Sequence, residues 1–120
     1  MLSIFIDHIG EIAVVQCDGR IVRSEAALKL RQAVSSQGDS RIIVLDLSEV
    51  PVIEGGGLGM LVFLQRWAQD RGVQFKLFNP RQSVIDRLRH VNSMRAFDIA
   101  TLDEMMAHLA CNDVRLARVA

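Results

Sequence analysis

The chain has 120 residues, of which 50% are hydrophobic and 23% charged, so its composition favours a single folded domain over a disordered chain. Fourteen basic residues balance fourteen acidic residues, which excludes a general electrostatic attraction to nucleic acid or anionic membranes. No apolar stretch is long enough to span a bilayer, and the N-terminal segment lacks the basic start of a signal peptide.

The first part of the chain predicts a hairpin followed by a helix. Ser3–Asp7 and Glu11–Cys17 have the short apolar pattern of strands, and Ile9-Gly10 between them suits a tight turn. Ser24 is expected to cap a helix that runs to about Ser35.

The middle of the chain predicts a strand, a helix and a second strand. Arg41–Leu47 is almost continuously apolar, as in a strand whose sheet is covered on both faces. Leu58–Arg71 has the length of a helix, and Gly72 is placed to end it. Val73–Phe78 follows as the next strand.

The last part of the chain continues this alternation. Val84–Leu88 carries the spacing of a third helix, and Phe97–Ala100 predicts a short final strand. Thr101–Glu104 resembles a capping box, which indicates a fourth helix. Strands that alternate with helices predict an α/β fold whose mixed sheet has an initial hairpin and then parallel strands. We expect one domain over residues 1–112 and a frayed tail over residues 113–120.

The residue types that bind metals show no suitable spacing. His8, His90 and His108 are not spaced as a metal site with each other or with the cysteines, so we interpret them as ordinary surface or boundary residues. Cys17 and Cys111 are far apart, and no secretion signal is evident, so we predict reduced thiols and a cytoplasmic protein. No metal or cofactor is predicted.

Catalytic groups are also missing from the pattern. Asp46 lies near the carboxyl end of a predicted parallel strand, where α/β proteins often place functional groups. A single carboxylate without a partner is more simply explained as a residue that orders its loop by accepting backbone N–H bonds. The serines lack a nucleophile-elbow context. We therefore predict no catalytic residue and no enzyme activity.

The segment Glu54–Gly59 reads Glu-Gly-Gly-Gly-Leu-Gly and precedes a helix. It does not complete a dinucleotide-binding motif, since Gly55 and Gly57 supply the first pair but position 60 is Met. A Walker motif is also missing. A helix N-terminus nevertheless exposes backbone N–H groups, and glycine permits close approach. Binding of a nucleotide or a small anion by this loop stays open.

The arrangement of these motifs resembles the STAS domain of bacterial anti-sigma factor antagonists. That family has Asp-Leu-Ser at the end of a strand and then Asp-Ser-Ser/Thr-Gly-Leu-Gly at the start of a helix. Here Asp46-Leu47-Ser48 is followed by the segment Glu54–Gly59. Three flanking elements are also similar to the family pattern: Gly19-Arg20-Ile21, Arg71-Gly72 and Asn79-Pro80. The resemblance extends over roughly residues 11–109.

The resemblance implies a protein-binding module whose phosphorylation switch is missing. In that family the first serine of the motif accepts phosphate from an anti-sigma factor that is itself a serine kinase, and the phosphate blocks docking. Gly55 occupies the acceptor position and Gly56 the next one, and neither has a hydroxyl. The resemblance assigns partner binding to the whole loop, which consists of Glu54, Gly55, Gly56, Gly57, Leu58 and Gly59.

The helix after this loop offers a second candidate surface. Met60, Phe63 and Trp67 form an apolar stripe, and such anchors are common in partner-binding helices. With Arg20 they are candidate interface residues, for a partner or for a homodimer. The alternative is a helix wedged between the sheet and a neighbouring helix. The sheet-facing residues are predicted to be Leu58, Leu61 and Ala68.

Three functions follow as hypotheses. The first is a non-enzymatic module that binds an anti-sigma factor or a related serine kinase-like ATPase, without phosphorylation of this loop. The second is an accessory STAS subunit of a lipid ABC transporter or an anion transporter. The third is a nucleotide or small-anion binder at the glycine-rich loop. Direct nucleic-acid binding and membrane insertion are not expected.

Overall fold

A computed structural model describes residues 2–89 and 97–107 of the chain. The elements in chain order are β1 (Ser3–Ile9), β2 (Ile12–Asp18), α1 (Ser24–Ser35), β3 (Ile42–Glu49), α2 (Gly56–Arg71), β4 (Gln74–Phe78), α3 (Gln82–Arg89) and β5 (Asp98–Ala100). Residues 102–107 are also helical and form the described part of α4.

The strands form one mixed sheet in the order β1-β2-β3-β4-β5. β1 and β2 pair antiparallel, and each later neighbour pairs in parallel. The predicted fold class is therefore confirmed, with four helices in the described part of the chain. The hairpin turn lies one residue later than predicted. Ile9 pairs with Ile12, so Gly10 and Glu11 form the turn, and Gly10 takes the positive φ of 59° that such short turns require.

The two faces of the sheet are covered unequally. Helices α1, α2 and α3 pack on one face, where their buried residues join one large core with alternate residues of the strands. The other face carries a smaller cluster that includes Met105 of α4, Ile12 and Val44. Because β3 is buried on both faces, its almost continuous apolar sequence has a physical explanation.

The helix ends test the predicted capping signals. The prediction that Ser24 caps α1 is wrong, because Arg23 is the extended residue before the helix and Ser24 is already helical, with no side-chain cap bond. The chain enters the helix one residue earlier than a serine cap requires. At α4, the Thr101 hydroxyl accepts the Glu104 N–H at 3.1 Å, as predicted for that half of the capping box. Gly72 ends α2 with a positive φ of 70°.

Several sequence predictions lie outside the described residues. They concern the tail over residues 113–120, the side chains of His90 and His108, and the thiol of Cys111. Within residues 2–89 and 97–107, no helix has both the length and the apolar character needed to cross a membrane.

Candidate functional site

The glycine-rich loop is fastened to the segment that follows β2. Ile21 forms an isolated parallel bridge with Ile53. The Ile21 N–H donates to the Val52 carbonyl at 3.0 Å, and the Glu54 N–H donates back to the Ile21 carbonyl at 3.2 Å. These bonds fix the entry to α2 against the β2–α1 connection. The candidate site is therefore formed by two segments that are far apart in sequence.

A tight turn built on glycine starts α2. The Gly57 N–H donates to the Glu54 carbonyl at 3.0 Å. Between them Gly55 has φ 53° and ψ −119°, the values of the first central residue of a type II′ turn. L-residues with a side chain rarely adopt this conformation, so Gly55 is needed for the backbone itself. The helix begins at Gly56, two residues earlier than the sequence predicted.

Gly57 is needed for a different reason, which is space. A Cβ atom on this buried residue would lie 2.2 Å from the Ile21 carbonyl oxygen and 2.8 Å from its Cγ2. The sequence suggested that glycine permits close approach to this loop, and at Gly57 the approaching group is the chain's own backbone. Gly56 and Gly59 differ, since a Cβ on either would meet no atom within 4 Å. Both are exposed, so they form the open part of the loop.

Helix α3 and the residue before it support the loop and the end of β3 through three side chains. Arg87 forms an ion pair with Glu54, so the Glu54 carboxylate is paired in addition to lying near the helix N-terminus. The Ser83 hydroxyl donates to the Pro51 carbonyl at 3.0 Å. Arg81, the residue before α3, donates from Nε to a carbonyl near the end of β3 at 3.0 Å. Sequence reasoning missed these contacts, because exposed arginines and serines give no signal of a partner more than thirty residues away.

Asp46 accepts a backbone N–H bond, as predicted, although the bond lies near the end of β3 and not in the α2 loop. Its Oδ1 accepts the Ser48 N–H at 2.9 Å and the Ser48 hydroxyl at 2.6 Å. Cys17 is a free, buried thiol, and burial, with a smaller contribution from the Asp46 charge, raises its pKa to about 12. A thiol that stays protonated at neutral pH is a poor nucleophile and metal ligand. No described group of three or more His, Cys, Asp and Glu residues could hold a metal ion.

The predicted apolar stripe on α2 divides between core and surface. Met60 and Trp67 are partly buried and pack against the core. Phe63 is 44% exposed, and the Arg31 guanidinium of α1 lies 4.9 Å from the centre of its ring. Arg71 lies in the same way over Trp67 at 5.4 Å. Of the stripe, Phe63 is therefore the residue that a partner could reach most directly.

The other residues predicted to face the sheet or to form the interface differ in their burial. Leu61 and Ala68 are buried against the sheet, as expected, whereas Leu58 is only partly buried. Arg20 is exposed in the β2–α1 connection. Arg20 directly precedes Ile21, the residue through which that connection is hydrogen-bonded to the loop.

This combination of sheet, loop and helix has known counterparts. The family model described as STAS domain matches residues 3–114. The chain belongs to the STAS domain family. It thus shares the fold of an anti-sigma factor antagonist from Mycobacterium paratuberculosis, with a TM-score of 0.76, 18% identity, and coverage of 92% of this chain and 95% of that one.

Two further solved structures show how widely the fold is used. The Bacillus cell fate determinant SpoIIAA in its phosphorylated form matches with a TM-score of 0.67 and 16% identity, over 89% of this chain and 99% of that one. The murine anion transporter Slc26a9 matches with a TM-score of 0.65 and 19% identity, over 87% of this STAS chain but 18% of the transporter. At these identities the likeness concerns the fold alone. No curated protein matches the sequence.

Proposed function

We propose that this STAS domain is a non-enzymatic regulatory module that binds a protein partner of the anti-sigma factor or serine kinase-like ATPase type, without phosphorylation control at the α2 loop. The observation that carries the proposal is the open backbone at Gly56 and Gly59 beside the exposed ring of Phe63. Exposed glycines next to an aromatic anchor allow a partner to approach the backbone closely.

The proposed binding surface continues onto α1. Leu28 is 52% exposed, and Arg31, one turn later, reaches over the Phe63 ring. An aromatic residue, an aliphatic residue and an arginine at one site match the composition of interface centres, which are enriched in aromatic residues and arginine. We define the binding surface by Gly56, Gly59, Phe63, Leu28 and Arg31.

The residues of the α2 loop and its surroundings support the absence of a phosphorylation switch. Gly55 and Gly56 have no oxygen to accept a phosphoryl group. The nearby hydroxyl of Ser48 is engaged with Asp46. Glu54 is a weak mimic of a phosphate, because it carries one charge where a phosphate carries about −1.5 to −2, and because Arg87 pairs with that charge. The loop therefore resembles an unmodified state that is competent to bind.

The same geometry disfavours the nucleotide or small-anion hypothesis. An anion cradle needs several free backbone N–H groups that converge. The Gly57 N–H is used by the Glu54 carbonyl, and the Gly59 N–H by the Gly55 carbonyl at 3.2 Å. These two N–H groups are therefore not free to bind an anion. We propose that the module acts in the cytoplasm and that its function is binding, with no catalytic group or cofactor.

An accessory role in transport is the second candidate. It is favoured by the fold shared with a domain of the anion transporter Slc26a9. In this role the domain would bind a transport protein. The two candidates differ in the identity of the partner, so identification of the partner separates them.

Affinity capture from the native cytoplasm tests the proposal. The baits are the unaltered chain, Phe63→Ala, and the matched control Leu102→Ala, which removes a side chain that is 65% exposed on α4, the helix on the opposite face of the sheet. We expect an anti-sigma factor or kinase-like ATPase to be retained by the unaltered chain and the control, and lost with Phe63→Ala. Its affinity is then measured with purified components by calorimetry.

The outcome also identifies the alternatives. Retention of a permease or a transport ATPase would support the accessory role. Equal retention by Phe63→Ala and the unaltered chain would place the interface elsewhere. Sedimentation of the chain alone tests whether a second copy occupies the surface, which would make the homodimer the relevant complex.

A further inference from the structure

A cationic groove lies beside the amino end of α1. It has a volume of about 680 Å³ and is lined by Leu2, Arg20, Val22, Arg23, Glu25, Ala26 and Lys29. Its floor is apolar, because Leu2 is buried and Val22 and Ala26 are partly buried. Three cations and one carboxylate line it, so the groove carries a local charge of about +2 on a chain whose net charge is zero.

Two of these cations are uncompensated within the described structure. Arg20 and Arg23 are exposed, and neither guanidinium forms an ion pair or hydrogen bond with a described residue. Lys29 donates one bond to the Leu2 carbonyl at 2.7 Å, which holds its ammonium group at the groove. By contrast, Arg41, Arg81 and Arg87 each pair with a carboxylate.

The groove adjoins the surface proposed for partner binding. Ile21, between the two arginines, is hydrogen-bonded to the α2 loop. The Val22 carbonyl lies 3.9 Å from the position that a Cβ on Gly55 would take. A protein that covers the open glycines is therefore close enough to extend a segment of its chain into the groove.

We infer that the groove receives an acidic segment of the protein partner, with carboxylates on Arg20 and Arg23 and aliphatic side chains on the apolar floor. This inference rests on the proposed function and names the chemistry of the partner. Arginine binds carboxylates through paired N–H donors. The volume accommodates several side chains, more than one free phosphate would fill. Glu25 and the small positive charge disfavour nucleic acid, which requires many phosphate contacts.

Titration of the isotope-labelled full chain with defined probes tests the inference by NMR. The first probe is a peptide of alternating Glu and Leu, the second the same peptide with Gln for Glu, and the third inorganic phosphate. We expect the acidic peptide to shift the backbone amides of residues 20–29 in a saturable way, with an affinity that weakens as salt is raised. The Gln peptide should cause no saturable shift. Phosphate binding as tight as peptide binding would overturn the inference in favour of a small-anion site.

Variants that each neutralise one arginine test which residues bind the acidic peptide. Arg20→Gln and Arg23→Gln should each weaken the acidic peptide about three- to fivefold, as expected for the loss of one exposed ion pair. Arg41→Gln is the matched control, because Arg41 is also exposed but lies at the amino end of β3, away from the groove. Unchanged affinity in both groove variants, or an equal loss in the control, would overturn the inference.

The same variants separate this inference from the proposed function. If the partner binds the unaltered chain and both groove variants equally, and requires Phe63, the proposed function stands and the groove has no role in it. If no partner binds but the acidic peptide binds in an arginine-dependent way, the groove inference stands and the proposed partner type is wrong.

Discussion

Substitution of Gly57 by alanine should destabilise the domain strongly, although it adds one methyl group. A Cβ at this position would lie 2.2 Å from the Ile21 carbonyl oxygen, and real Cβ contacts essentially never fall below 3.0 Å. The helix or the carbonyl must therefore move by at least 0.8 Å, the difference between these distances. That carbonyl accepts the Glu54 N–H, so movement also weakens a bond that holds the loop.

The expected cost combines these two effects. Overpacking a well-packed site costs about 1–3 kcal/mol, and a weakened hydrogen bond about 0.5–1.5 kcal/mol. We expect Gly57→Ala to lower the free energy of unfolding by about 2–4 kcal/mol in total. For a domain of this size, each kcal/mol shifts the Tm by about 3–5 °C, so the Tm should fall by roughly 6–20 °C.

Gly59→Ala is the matched control for Gly57→Ala. Gly59 also lies in α2, but its added Cβ would meet no atom within 4 Å. Because alanine favours a helix over glycine by about 1 kcal/mol, this variant should be slightly more stable than the unaltered chain. Thermal unfolding and urea unfolding measure both variants, followed by circular dichroism and by the fluorescence of Trp67, the single tryptophan of the chain. A Gly57→Ala melting temperature within 2–3 °C of the unaltered chain would refute the reasoning.

Three further predictions concern groups in and around the core. The pKa of the Cys17 thiol is raised from its ordinary value of 9.0 to about 12. The protonated thiol should therefore stabilise the fold fully below pH 9.0, and this contribution should be lost as the pH rises toward 12. The urea midpoints at pH 8 and pH 11 should accordingly differ less for Cys17→Ala than for the unaltered chain. Asp98→Asn should cost about 1–2 kcal/mol, because it leaves the ammonium group of Lys76, whose side chain is 9% exposed, without its carboxylate at 2.7 Å. Lys76→Met should cost less in the same unfolding assay. Gly55→Ser should cost about 1–2 kcal/mol through its positive φ, whereas Gly56→Ser should change the melting temperature little, since its site is open.

The sequence predicted the fold because its signals are local. The alternation of strands and helices follows from apolar periodicity and from glycine stops, so Gly72 and the Thr101 cap were placed correctly. Serine at position 24 gave a misleading cap signal, because the extended residue Arg23 fixes where the helix begins. The exact residue at which a helix begins depends on how the preceding connection packs, and the local sequence does not determine that packing.

The position of the glycine-rich loop was predictable from the sequence, but the contacts that shape it were not. The motif located the loop, and Asp46 was correctly predicted to accept a backbone N–H bond. The sequence could not distinguish the glycines from one another, because conformation at Gly55 and space at Gly57 are properties of the folded backbone. The contacts from α3, such as Arg87 on Glu54, depend on tertiary placement of exposed side chains and gave no sequence signal.

The presence of glycine at the other two positions of the α2 loop is not explained by contacts within the domain. At Gly56 and Gly59 the backbone φ is not positive, and an added Cβ would meet no atom within 4 Å, so nothing inside the described structure needs glycine there. Each forgoes up to about 1 kcal/mol of helix stability relative to alanine. Close contact with a partner's backbone would account for that loss. Gly56→Ala and Gly59→Ala should therefore raise the melting temperature while they weaken partner binding, measured by calorimetry. If both variants are more stable and bind as well as the unaltered chain, the open glycines take no part in docking, and the interface must rest on Phe63 and α1.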